Sequence, residues 1–142
     1  MAATKLHPAI GKNRYCGPAA LSIITGLSTD ECAKVLREVS GRRAIYGIGS
    51  HYMIQAMQRL GVDHVRRDAD TSCDPSCIGI GRTLAVWMTA APVSRYLLVI
   101  TGHYVVCDTQ SGMVCDNGTV YPLAIDRYRK ARKHVRQAWR LV

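Results

Sequence analysis

The stretch "NRYCGPAALSIITG", Asn13 to Gly26, decides how the chain is read. Ala19, Ala20, Ile23 and Ile24 carry helical spacing, and Gly26 stands where a left-handed C-cap would close the helix. A proline suits a helix only within its first turn, where no intrahelical N–H bond is lost. Pro18 therefore fixes the start close to Cys16, and a helix over Cys16–Thr25 is predicted. The cysteine stands at the N-terminus of that helix, outside the apolar run that a structural cysteine would join. Free backbone N–H groups and the helix dipole favour a thiolate at such a place. The neighbours fit a nucleophile. Gly17 removes a side chain beside the sulfur, so a substrate backbone can approach. The Cys16 amide can point at an oxyanion, and Asn13 can add a donor from its side chain. Taken alone, Cys-Gly-Pro at a helix start equally suits a small buried residue, since free cysteines are commonly buried and inert.

A nucleophilic thiol needs a base, and the base needs a third group to orient it. Of the five histidines, His103 stands out, because it follows Gly102 and opens the strand-like "GHYVVC". Its imidazole would be presented at a strand edge beside an open glycine. The next strand-like segment ends in "CDNG", so a hairpin would return Asp116 or Asn117 beside His103. Asp108, on the same segment as His103, is expected in the turn.

The elements around these residues follow from pattern. "LSTDECAKVLREVSG" reads as a second helix, with Ser28 and Glu31 at capping-box spacing and Cys32, Val35, Leu36 and Val39 as its apolar stripe. Ser50 is expected to cap a third helix that ends at Gly61. The loop before it, "IYGIGSHYM", would border the substrate groove, with His51 and Tyr52 as contacts. "VDHVRR" reads as a short strand, and "RTLAVWMTAA" as a fourth helix ended by Pro92. "RYLLVIT", "HYVVCD", "GMVCD" and "TVYPLAI" then form an antiparallel meander. "HVRQAWRLV" fits a last strand or an amphipathic helix equally. Trp87 and Trp139 are expected in the core or against a partner. Helices first and strands after predict an α+β domain, with N-terminal helices packed on a C-terminal antiparallel sheet.

With the elements in place, "NRYCGPAALSI", "GHYVVC" and "VCDNG" resemble the papain-like cysteine peptidases, closest to the compact bacterial and phage-encoded branch that includes the C39-like peptidases. The resemblance implies a cysteine that opens a central helix, a histidine at the start of a sheet strand, and an Asp or Asn on the next strand. It places Cys16 as nucleophile, His103 as general base and acid, and Asp116 as orienter. That family carries a Gln several residues before its cysteine. This sequence has no Gln upstream of Cys16, and Asn13 stands in its place. The implied activity is a cysteine peptidase, or a related amide hydrolase or acyl transferase, acting on a protein or peptide. A second reading is a non-enzymatic phage accessory or virion protein on the same fold.

Length and composition set the frame. The 142 residues suggest one domain, 1–142, large enough for a hydrophobic core. The start lacks the apolar segment of a secretory signal, and the most apolar stretch is too short to span a bilayer as a helix. The expected location is the cytoplasm, or a particle assembled there, with no membrane partner. The six cysteines are then expected as reduced thiols. Cys107 and Cys115 sit on neighbouring predicted strands, where they can face each other. Cys73 and Cys77 lack a second Cys pair, so neither a metal site nor a cofactor is expected. The formal charge is +9, of which Asp126 to Val142 contributes +6. This basic C-terminal element, 126–142, reads first as a solvated face and second as a surface for nucleic acid or an acidic partner.

Overall fold

A computed structural model describes residues 6–13, 15–68 and 82–142. The first helix, α1, spans Cys16–Thr25 with Pro18 in its first turn. Gly26 closes it at φ 79°, donating its N–H to the Ser22 carbonyl at 2.8 Å. The second, α2, spans Thr29–Ser40, and the Ser28 hydroxyl caps it by accepting the Glu31 N–H at 3.1 Å. Cys32 and Leu36 are buried, while Val35 and Val39 lie half-buried at the margin of the same stripe. The third helix, α3, spans Ser50–Arg59, and here the expected cap moves. Gly49 holds the N-cap position and its carbonyl accepts the first helical N–H groups, so Ser50 is the first helical residue instead.

The strands are β1 (His64–Arg66), β2 (Arg95–Ile100), β3 (His103–Asp108), β4 (Met113–Cys115), β5 (Leu123–Ala124) and β6 (Val135–Leu141). They form one antiparallel sheet in the order β1-β6-β2-β3-β4-β5. The fourth helix, α4, spans Leu84–Ala90 between β1 and β2, capped by the Thr83 hydroxyl. The segment "HVRQAWRLV" is thus a strand, and it is interior to the sheet rather than a tail. A chain ending at Ile125 would lack the strand that joins β1 to β2.

Residues alternate across the strands into two cores. Leu97, Tyr104, Val106, Cys115 and Trp139 face α1, α2 and α3. Tyr96, Leu98, Val105, Cys107, Val114 and Ala138 face α4 and Tyr128. The helices therefore cover both faces, and α4 is not on the side of the other three. Covering both faces accounts for the unbroken apolar run in β2, since neither side of the strand meets water. Both tryptophans are buried, Trp139 in the first core and Trp87 in the second. Cys107 pairs with Val114, and Cys115 with Val106. A register one residue away from the expected one puts the two thiols on opposite faces of the sheet. Among the described residues no helix is long and apolar enough to cross a membrane. Cys73 and Cys77 lie outside the described residues.

Candidate active site

Three elements deliver the site. α1 packs against α2 and β3, so its first residue, Cys16, comes to the end of β3 where His103 begins. The β2–β3 hairpin turns tightly there, with Ile100 paired to His103 and Gly102 at φ 75°. A Cβ on Gly102 would meet open space, so glycine is there for the backbone conformation, not for clearance. Cys16, Gly102 and His103 line one cavity of about 250 Å³, together with Ile48, Tyr104 and Gln137.

Behind the imidazole stands Asp116, just past the end of β4. Its Oδ2 lies 2.8 Å from His103 Nε2 and accepts the Tyr128 hydroxyl at 2.6 Å. Its Oδ1 accepts the Gly118 N–H at 2.8 Å, and the Thr119 hydroxyl accepts the Asp116 N–H at 3.0 Å. Both carboxylate oxygens are thus engaged, and the residue is only 4% exposed. Of the two expected candidates, Asp116 bonds His103. Asp108 lies at the end of β3, where its carboxylate accepts the Gln110 N–H of the following turn.

The electrostatics separate Cys16 from its relatives in the chain. Burial pushes the thiols of Cys32, Cys107 and Cys115 up. Burial also works against the Cys16 thiolate, but the neighbouring His103 imidazole and its charge, the Tyr104 N–H and its own N–H outweigh it. The thiol is held below its ordinary 9.0. His103 moves the other way. Burial disfavours its charged form, yet the bond to Asp116 and the nearby Cys16 hold the imidazole above its ordinary 6.5. Asp116 is kept below the usual carboxylate range despite its burial, by His103, Tyr128 and Gly118 as donors. The phenol of Tyr128 is pushed well up by burial and by the carboxylate. A lowered thiol beside a raised imidazole favours a thiolate–imidazolium pair, with the carboxylate fixing which ring nitrogen faces the sulfur.

Other expected site residues fall differently. Gly17 is buried, and a Cβ there would stand 2.7 Å from Ile48 Cγ2 and 3.6 Å from Met53 Sδ. Its missing side chain seats α1 on the core and clears no path for substrate. His51 is exposed and stacks on Tyr52 at 3.9 Å between centroids, so the "IYGIGSHYM" loop reaches the cavity through Gly47, Ile48 and Ser50 instead. Asn13 lies on the lead-in to α1, where its Oδ1 accepts the Tyr15 N–H at 3.1 Å. It is not among the residues lining the cavity.

The sequence reading missed Tyr128 and Gln137. Tyr128 sits in the second core just after a 3-10 turn, Ile125–Arg127, and no local pattern ties it to Asp116. Gln137 comes from β6, opposite Val99. Tyr128→Phe is expected to lower the free energy of unfolding in urea by about 1.5–3 kcal/mol, the usual worth of a hydrogen bond to a charged group. Comparison of the chain with family models and with curated proteins finds no match.

Proposed function

We propose that the chain is a papain-like thiol hydrolase of amide bonds, a cysteine peptidase or a related acyl transferase. The observation that carries this reading is the meeting of Cys16 and His103 at one cavity, with Asp116 bonded to Nε2 of the ring. In the reaction the Cys16 thiolate attacks the carbonyl carbon of the substrate. The negative charge on the carbonyl oxygen is met by the Cys16 N–H and by the side-chain amide of Gln137, which lines the same cavity. The His103 imidazolium gives its proton to the leaving amine as the C–N bond breaks. Water then attacks the thioester, His103 takes its proton, and the thiolate leaves. An amine in place of water gives acyl transfer by the same steps.

The first test is chemical. Iodoacetamide at neutral pH is expected to alkylate Cys16 ahead of Cys32, Cys107 and Cys115, as mapped by peptide mass. The second is catalytic. A peptide mixture incubated with the protein is expected to yield new termini, and Cys16→Ala to yield none. Even alkylation of the four thiols, with no cleavage of any peptide, would sink the reading.

A further inference from the structure

A second cavity, of about 400 Å³, is lined by Thr101, Arg129, Arg132, Lys133, His134 and Arg136. Consecutive residues line this cavity and that of the nucleophile at two places along the chain. Thr101 lines the basic cavity and Gly102 the catalytic one; Arg136 lines the first and Gln137 the second. Backbone geometry builds this arrangement. Val99 pairs with Gln137 while Ile100 pairs with Val135, which leaves Arg136 as the extra residue of a β-bulge. A bulge re-aims a side chain relative to a regular strand. The loop before β6 is held as firmly. The Lys133 carbonyl accepts the Leu84 N–H at 2.8 Å, and the His134 carbonyl accepts the Thr101 N–H at 3.2 Å. Four permanent cations are thus fixed around one concavity, and none forms an ion pair with a carboxylate among the described residues. Lys130, from the same loop, is close enough for its charge to act on His103.

We infer that this cleft binds the acidic side chains of the peptide whose scissile bond lies at Cys16, so that the substrate is an acidic segment. This rests on the hydrolase reading above. A nucleic acid would also meet four cations. A peptide is favoured because consecutive residues of the chain line the cleft and the cavity of the nucleophile, and because the cleft's lining residues include no Phe, Tyr or Trp on which bases would stack.

The test uses two peptides with a central epoxide, one with Asp and Glu on both sides of it and one with Asn and Gln. Covalent labelling of Cys16 is followed by intact mass. At low salt the acidic peptide is expected to label at least about tenfold faster, the scale of electrostatic steering, and its advantage to shrink as salt rises. In Arg132→Gln/Lys133→Gln the ratio of the two rates is expected to fall toward one. Taking the ratio within each protein removes any change in the thiol itself. Equal rates in the wild-type protein, with Cys16 still labelled, would overturn the inference and leave the hydrolase reading standing. Loss of the acidic preference to competition by a single-stranded oligonucleotide, with tighter binding of the oligonucleotide than of the acidic peptide, would also overturn it, in favour of a nucleic-acid surface. Failure of both peptides to label Cys16 would instead defeat the hydrolase reading beneath it.

Discussion

His103→Ala is expected to slow alkylation of Cys16 at pH 7 about tenfold or more, and to cut peptide cleavage by about 10⁴-fold. The two figures differ because the imidazole does two things. For alkylation it only holds the thiol ionised. Without it, burial remains the largest influence on Cys16, and the Tyr104 N–H and the residue's own N–H are left to oppose it. The thiol then moves up toward 9.0, where about 1% is thiolate at pH 7. A thiolate of higher pKa is the better nucleophile, which offsets part of the lost population and keeps the deficit nearer tenfold than a hundredfold. For cleavage the imidazolium must also protonate the leaving amine, and among the described residues no other imidazole lines the cavity. The measurement is the rate of iodoacetamide labelling from acid to alkaline pH. The wild-type profile is expected to extend to lower pH than that of the variant, whose rate falls away tenfold per pH unit below its thiol pKa. Superimposable profiles for the two proteins would show that His103 does not set the state of the thiol.

The expected results lean on elements that differed in how readily they could be read. α1 was legible because two strong local constraints bracket it, Pro18 at one end and Gly26 at the other. Cys16, His103 and Asp116 were legible as neighbours for the same reason, each lying at the start or end of an element with a clear boundary. The last segment was ambiguous for a physical reason. The bulge at Arg136 breaks the two-residue alternation of β6, so its apolar residues fall at Val135, Ala138, Trp139 and Leu141, a spacing that a helix shares. Tyr128 and Gln137 were invisible because their contacts with the site exist only after the sheet has formed. Gly17 was misread through the same limit, since a sequence shows that a side chain is missing but not which way it would have pointed. The basic segment was read as a tail from its composition. Most of its charges sit on the loop before β6 and at the bulge, while Val135, Ala138 and Trp139 fill an interior strand.

Asp116→Ala is expected to lower the free energy of unfolding at pH 7 by about 3–5 kcal/mol, the cost of removing one partner of a buried pair, and the Tm by about 10 °C. The carboxylate is 4% exposed and accepts from His103, Tyr128 and Gly118, so the truncation leaves three donors without their acceptor. Asp116→Asn separates shape from charge. Its stability relative to wild type is expected to depend on pH in a definite direction. The Asp116 pKa is lower in the folded protein than its ordinary 3.8, so its stabilisation is present above 3.8 and is lost as pH falls through the folded value. The His103 pKa is raised above 6.5, so its contribution is full below 6.5 and is lost as pH rises through the folded value. The gap between wild type and Asp116→Asn should therefore be widest between 3.8 and 6.5, and close on the acid side as Asp116 itself becomes neutral. Thermal melts from strongly acid to alkaline pH read the gap directly. A gap that stays constant down to strongly acid pH would mean that the carboxylate holds His103 by shape alone. The thiolate–imidazolium pair would then lose the electrostatic support on which the proposed chemistry depends.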